Sequence, residues 1–197
     1  LVLSGNNSYE GGTALANGIV QVSADANLGA ASGGLSFSGG MLATTASFAS
    51  ARNVSVAGAG GFDVAAGTTL ALAGTVSGTG ILAKLGGGAL VLSGASDIEW
   101  NVQAGGLTAD ASRFSGDVSI ADGARFTFDQ AGSAAYAGTV SGLGNFAKAG
   151  AGALNYTGDG SAFSGTTTVT QGLFSVNGVL GGAVKVLAGG TLGGAGT

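Results

Sequence analysis

One long stretch occurs twice in this chain and limits the folds that the chain can adopt. GTVSGTGILAKLGGGALVLSG covers residues 74–94 and GTVSGLGNFAKAGAGALNYTG covers residues 138–158, with 13 of 21 positions identical. Repetition of this kind is typical of architectures in which each repeat packs mainly on its neighbours. Lys84 and Lys148 are among the identical positions, and we predict that both point outward as charges at an edge or a corner.

A second stretch recurs around three aromatic residues. SYEGGTALANGI (8–19), RFSGDVSIADGA (113–124) and AFSGTTTVTQGL (162–173) align without gaps and place Tyr9, Phe114 and Phe163 at one position. Because repeated positions usually serve a shared core, we predict that these aromatic side chains stack inside the fold as a ladder. A stripe of exposed aromatic residues that binds a ligand is the alternative.

Apolar and small polar residues alternate over short distances, as in Val54-Ser-Val56, Val118-Ser-Ile120 and Phe126-Thr-Phe128. A period of two places both apolar side chains of such a triplet on one face of a strand. The 42 glycines among 197 residues interrupt the triplets every few positions and oppose helix formation. At about 20–25 residues per coil, the pattern predicts an all-β parallel solenoid of roughly nine coils with three short strands each.

A β-sandwich or an up-and-down barrel is the alternative fold, because Asn-Gly and Asp-Gly pairs also suit hairpin turns. These pairs occur at Asn17, Asp122, Asp159 and Asn177, each followed by glycine. They fall at equivalent places in the repeated stretches, which fits the corners of a coil at least as well. The solenoid is therefore the fold that we predict.

The composition excludes several classes of protein. Hydrophobic residues make up 45% of the chain, whereas disordered segments contain few of them. The net charge is −4, and six scattered basic residues form no patch that would neutralise nucleic-acid phosphates. There is no histidine and no cysteine, which removes imidazole and thiol catalysis and histidine-containing zinc sites. We expect no nucleic-acid partner, no cofactor, no metal site and no catalytic site.

One break in the repeats is a candidate binding site. The degenerate copy DIEWNVQAGGL (97–107) is one residue shorter than the others and has the only tryptophan, Trp100, where they have glycine. With Asp97, Glu99 and Asn101, Trp100 would form a small acidic and aromatic patch on the surface. The alternative is that the Trp100 side chain packs inside the shortened coil and fills its interior.

Paired carboxylates leave one enzymatic hypothesis open, since some β-helical enzymes cleave polysaccharides with them. Asp97 and Glu99 are two positions apart and would share a strand face. Three further carboxylates would approach them if the coils stack suitably: Asp110, Asp117 and Asp122. Most carboxylates are solvated surface residues, and we expect the same of these.

The order of these stretches resembles the passenger-associated repeat of autotransporter passenger domains, the surface-exposed part of type V secreted proteins of Gram-negative bacteria. The resemblance is clearest in KLGGGALVLSG from Lys84 and in KAGAGALNYTGDGSAFSGTTTVTQGLFSVNG from Lys148 to Gly178. Both begin with the lysine and the glycine-alanine tract of that repeat, and its L-x-L-x-G strand follows at Leu90 and, as a variant, at Leu154. The resemblance covers essentially the whole chain and is weakest around SDIEWNVQAGG.

This resemblance implies a right-handed parallel β-helix that is displayed on the bacterial cell surface. It also implies a signal peptide and a covalently linked C-terminal β-barrel in the outer membrane, neither of which is visible in the sequence. We therefore expect residues 1–197 to be one β-helix segment of a larger passenger. Its repeat units would lie at approximately 74–137 and 138–197, with a partial repeat at 1–73.

The function that we predict is that of a non-enzymatic stalk or surface segment, which supports adhesion or self-association and export. Its partners would be molecules of the host-cell surface or matrix, or a second copy of the chain. One alternative is an adhesin that itself binds a host glycan or matrix protein through one face. The other is a carbohydrate-active β-helical enzyme.

Overall fold

The computed structural model describes all 197 residues and consists of short strands joined by turns. One 3-10 turn, Asp25–Leu28, is its only helical segment. No helix in it has the length and apolarity needed to cross a membrane. In chain order the strands are β1 (Val2–Leu3), β2 (Thr13–Leu15), β3 (Ile19–Val22), β4 (Leu35–Phe37), β5 (Met41–Thr44), β6 (Phe48–Ser50), β7 (Val54–Val56), β8 (Ala59–Val64), β9 (Thr69–Leu72), β10 (Val76–Gly78), β11 (Ile81–Leu85), β12 (Ala89–Leu92), β13 (Glu99–Val102), β14 (Gly106–Ala109), β15 (Val118–Ile120), β16 (Arg125–Asp129), β17 (Ala134–Tyr136), β18 (Val140–Gly142), β19 (Asn145–Ala149), β20 (Ala153–Tyr156), β21 (Asp159–Gly160), β22 (Thr166–Val169), β23 (Gly172–Val176), β24 (Val179–Leu180), β25 (Ala183–Val186) and β26 (Gly190–Gly193).

The strands stack into a solenoid with three faces, which the chain visits in a fixed order. The first face is an eight-stranded sheet, β1-β3-β5-β8-β11-β13-β15-β18, continued by the pair β21-β24. The second face is the sheet β6-β9-β12-β14-β16-β19-β22-β25. The third face begins as β2-β4-β7-β10 and ends as β17-β20-β23-β26. Single bridges from Val76 to Ser96 and from Ser96 to Phe114 extend the first of these sheets by two coils.

Every ladder in the molecule is parallel, which confirms the predicted solenoid and rules out a sandwich or barrel built from hairpins. The chain passes the first face ten times, close to the nine coils expected. Coil length varies along the axis. Leu90 pairs with Leu107, whereas Phe48 pairs with Leu70, so the coil between the two leucines is the shorter one.

The two copies of the repeated stretch do not lie above one another. In the first copy Val76–Gly78 lies on the third face and Ile81–Leu85 on the first face. In the second copy Val140–Gly142 lies on the first face and Asn145–Ala149 on the second face. The interval between the copies therefore equals three coils and one additional face. The same sequence forms the same local structure on two faces, so the three faces are nearly equivalent environments.

The core is a column of inward-facing apolar side chains, as the period of two predicted. In β12 and β14, for example, Leu90, Leu92 and Leu107 are buried, while Val91 and Thr108 between them are partly exposed. Stacked aromatic rings extend the column toward the C-terminus, where the rings of Phe126 and Phe146 are 6.0 Å apart and nearly parallel.

The predicted ladder of Tyr9, Phe114 and Phe163 is wrong. Phe114 and Phe163 are buried, but Phe114 bridges to Ser96 on the third face and Phe163 bridges to Gly142 on the first. Tyr9 is 39% exposed and its ring covers Gly29. The three residues recur at one sequence position, yet the mismatch between repeat and coil length puts them on different faces.

The first two coils replace their second-face strand with loops. The segment 23–34 lies against the edge of β6 and is held by Arg52, which is 2% exposed. The Arg52 guanidinium donates to both carboxylate oxygens of Asp25, at 2.9 and 3.1 Å, and to the carbonyls of Gly29, Ala30 and Gly33. These bonds satisfy loop carbonyls that have no strand partner.

Candidate binding surface

Trp100 is the first of the predicted surface residues that the structure corrects. It lies in β13 with 0% exposure, its ring stacks on Phe62 at 6.3 Å, and its Nε1 donates to Ser96 Oγ at 2.9 Å. Its side chain fills the interior of a short coil. This coil runs from Lys84 to Val102, the residue with which Lys84 pairs. The packing interpretation of Trp100 is therefore correct, and the exposed aromatic patch is wrong.

The polar members of the predicted patch point to two different faces. Asp97 follows the Ser96 bridge and is exposed on the third face. Glu99 pairs with Ile81 at the start of β13, so Glu99 and the partly exposed Asn101 lie on the first face. A solenoid corner separates Asp97 from Glu99, which also overturns the expectation that these carboxylates share a strand face.

Lys84 and Lys148 correct a second expectation, because both are buried inside the solenoid with 0% exposure. The Lys84 ammonium donates to the carbonyls of Leu85, Gly86 and Ala104 at 2.6, 2.8 and 3.1 Å. The first two carbonyls belong to its own turn, and the third belongs to the next coil. Each lysine thus ties a turn to the coil that follows it.

Burial lowers the pKa of both ammonium groups. Desolvation lowers the pKa of Lys84 to about 8, against the opposing attraction of Asp63. Desolvation also lowers the pKa of Lys148, against the attraction of Asp129. Neither lysine forms an ion pair with a carboxylate, since the one ion pair in the structure joins Arg52 and Asp25. Backbone carbonyls are their partners.

A continuous depression runs along the outside of the third face, and we call it the third-face groove. Three adjoining hollows of about 440, 240 and 580 Å³ form it. Thr75 and Ser77 line both the first and second hollows, while Arg113 and Ser115 line both the second and third. The first hollow lies along the paired strands β2, β4, β7 and β10. The other two follow the part of this face where the ladder is reduced to the single bridges at Ser96 and Phe114.

One outward polar side chain from each of five successive coils forms a row in this groove. Ser36, Ser55 and Ser77 are directly paired in register, and the bridges at Ser96 and Phe114 place Asp97 and Ser115 next in line. All five side chains are exposed: Ser36, Ser55, Ser77, Asp97 and Ser115. A serine between two inward-facing residues in successive coils is the sequence signal for this row, and our prediction missed it.

Charged groups line the second and third hollows of the groove. Arg113 donates one hydrogen bond to the Ser93 carbonyl at 3.3 Å, which leaves most of its N–H groups free. Asp117 accepts from the backbone N–H of Thr139 at 2.6 Å and keeps its other carboxylate oxygen open. No group of three or more acidic side chains is gathered in a way that would hold a metal ion.

Comparisons with known proteins agree with this architecture. A family model described as passenger-associated-transport-repeat matches residues 1–22, 82–124 and 146–176. A protein named "Adhesin BmaC autotransporter", from Brucella suis biovar 1 (strain 1330), is 42% identical over 161 residues. That alignment covers 75% of this chain but only 4% of the relative's length. No solved structure gives a significant match.

The matched repeats include both buried lysines, Lys84 and Lys148, together with Trp100 and Phe163. All four side chains are buried inside the solenoid, so the family pattern coincides with its packing. The three matches to the passenger-associated-transport-repeat and the similarity to a named autotransporter support the interpretation of this chain as a segment of an autotransporter passenger with such repeats.

Proposed function

We propose that this chain is a non-enzymatic surface segment of an autotransporter passenger that supports adhesion. The observation that supports this most is the continuous parallel solenoid of ten coils in a chain similar to a named adhesin. A β-helix of this kind presents long, regular faces to a partner and holds its shape without a separate core domain. Its display would be on the outer surface of the bacterium, linked to a C-terminal β-barrel elsewhere in the protein.

The rigidity needed for such a role follows from contacts between coils. Backbone ladders connect successive coils on the three faces, except where loops replace the second-face strands of the first two coils and where the third-face ladder is interrupted. Glycines allow the corners to approach closely. A Cβ at Gly94 would overlap the carbonyl of Gly74 in the preceding coil. The buried lysines add hydrogen bonds across successive coils. We propose that these contacts also help export, because each coil can form on a coil that is already in place.

The arrangement of carboxylates supports a non-enzymatic role. A glycosidase requires two carboxyl groups about 5–9.5 Å apart across one cleft. Asp97 and Glu99 are on different faces, and Asp122 is exposed in the turn between β15 and β16, away from the groove. Asp97 and Asp117 do share the groove, in adjoining hollows, so the proposal of a non-enzymatic role rests chiefly on the similarity to a named adhesin.

Surface display tests the proposal. The chain would be placed between a signal peptide and an outer-membrane β-barrel in a non-adherent Gram-negative host, with the barrel alone as control. Adhesion to cultured host cells and to surfaces coated with matrix proteins would be counted, and sedimentation of the bacteria would measure self-association. We expect adhesion above the barrel control. Equal counts for both, with the chain shown at the surface by antibody, would refute an adhesive role.

A further inference from the structure

The third-face groove has the polar groups and the spacing of a binding site for an extended sugar polymer. We propose that it binds a neutral glycan, lying along the solenoid axis, with one sugar unit opposite each coil. This inference rests on the proposed adhesive function and assigns a site and a ligand class to it.

The spacing of the row favours a polymer of sugars. Ser36, Ser55 and Ser77 are paired in a parallel ladder, so their hydroxyls recur at the strand spacing of about 4.8 Å. This distance is close to the length of one pyranose unit in an extended glycan chain. A linear glycan can therefore meet equivalent hydroxyls in successive coils without changing its conformation.

The chemistry of the row suits sugar hydroxyls, which both donate and accept hydrogen bonds. Serine hydroxyls do the same, carboxylates such as Asp97 accept, and the free N–H groups of Arg113 donate. The Asn53 Oδ1 atom and the Thr75 hydroxyl are already paired with each other, because Asn53 Oδ1 accepts from the Thr75 backbone and hydroxyl. The side chains of Ser36, Ser77, Asp97 and Ser115 have no hydrogen-bond partner within the chain and are free for a ligand.

The charge of the groove selects against acidic glycans. Arg113 is its only cation, while Asp97 and Asp117 are two anions on the same surface. The whole chain has a net charge of −4, which adds a weak repulsion of sialylated or sulfated chains. The aromatic ring that lines the groove, Phe114, is 3% exposed and cannot stack on a sugar. Affinity must then come from many weak contacts, so it depends on glycan length.

The test uses the 197-residue chain and a printed array of linear hexose and N-acetylhexosamine oligosaccharides of increasing length. Sialylated and sulfated glycans on the same array, and matrix proteins on a separate surface, identify other ligand classes. The blocking variant is Ser77→Lys, which places a long side chain across the middle of the groove. Its matched control is Ser119→Lys, at a partly exposed serine on the first face. Thermal melting confirms that both variants fold.

We expect binding to neutral oligosaccharides that strengthens with length until the groove is filled. Ser77→Lys should weaken it about tenfold, and Ser119→Lys should leave it unchanged. No binding to neutral glycans, binding only to acidic ones, or equal loss in both variants would overturn the glycan site. If the wild-type chain also mediates no adhesion on cells, the proposed adhesive function fails too. Adhesion that persists without neutral-glycan binding would reject this inference alone.

Discussion

Lys84 and Lys148 occupy the same position of a repeated stretch and make the same three hydrogen bonds on two different faces of the solenoid. Lys84 lies in β11 on the first face, and Lys148 lies in β19 on the second. Each ammonium binds the carbonyls of the next two residues and one carbonyl of the following coil. The distances are 2.6, 2.8 and 3.1 Å for Lys84 and 2.7, 2.8 and 3.1 Å for Lys148. The local sequence, not the face, therefore determines this corner.

Replacing Lys84 with Met should destabilise the chain by about 2 kcal/mol, because three carbonyls lose a charged donor and methionine supplies none. Chemical denaturation with urea, followed by far-UV circular dichroism, measures the loss. Lys185→Met is the control, since Lys185 is an exposed residue on β25. If the urea midpoint of Lys84→Met equals that of the control, the three carbonyls are hydrogen-bonded to water in the variant and the prediction is wrong.

The stability difference between the wild type and Lys84→Met should grow as the pH rises from about 8 towards the ordinary lysine value of 10.5. The folded pKa is lowered, so in this window the unfolded state holds the proton that the folded state has released. Stability rises with pH wherever the unfolded state binds more protons. Urea midpoints of both proteins at intervals from pH 7 to about 9.5 would measure this. This range stays below the ordinary pKa of tyrosine, about 10. A constant difference would contradict the lowered pKa.

Arg52→Lys should open the loop 23–34 and lower stability by roughly 3 kcal/mol, because lysine cannot bind the Asp25 carboxylate and three loop carbonyls together. Relative to the wild type, hydrogen exchange in Arg52→Lys should become faster at the backbone amide of Ala30 but not in the distant strand β20. Arg113→Lys is the matched control on the surface, with an expected change below about 0.5 kcal/mol. Unchanged protection of the loop in Arg52→Lys would mean that other contacts hold it.

Gly116→Ala should cost about 3 kcal/mol, because its Cβ would overlap the carbonyl of Ile98 in the preceding coil. Gly132→Ala is the matched control. No atom lies within 4 Å of a Cβ there and its φ is not in the left-handed region, so stability should be unchanged or rise by up to about 1 kcal/mol. Thermal melting compares the two. Similar melting temperatures would show that the coils can separate at little cost.

Deletions should be tolerated according to strand register. Removing residues 90–106 puts Leu107 in the place of Leu90, with which it pairs, and so removes one coil in phase. Removing residues 90–105 shifts β14 by one position and turns Leu107 outward. Removing residues 74–137 lets the second copy of the repeat take the place of the first, and turns everything after it by one face.

We expect the first and third deletions to give cooperative melting by circular dichroism, and the second to give a broad transition at lower temperature. The second deletion differs from the first by a single residue, so length and composition are matched. Equal behaviour of all three proteins would contradict the register argument. Loss of folding in the third deletion alone would show that the faces are less equivalent than the two lysine corners indicate.

Alternation would have corrected two of the wrong predictions. Leu82 and Lys84 are two positions apart in β11, so the side chain of Lys84 follows Leu82 into the interior. Trp100 and Val102 are related in the same way in β13. Charged residues are rarely buried without a partner, so the residue type favours an outward position for both lysines. The carbonyls that serve as partners come from a turn and a neighbouring coil, and only the assembled solenoid shows them.

The sequence by itself determined that this chain forms a parallel solenoid, with apolar residues inside and glycine at the corners. Those features depend on interactions within a few residues, and the same local pattern recurs in each repeat. Tertiary structure alone decided which face each stretch occupies, because the face depends on the summed lengths of all preceding coils, which differ from one coil to the next. For the same reason it separated Asp97 from Glu99, broke up the expected ladder of Tyr9, Phe114 and Phe163, and aligned serines from successive coils in one groove.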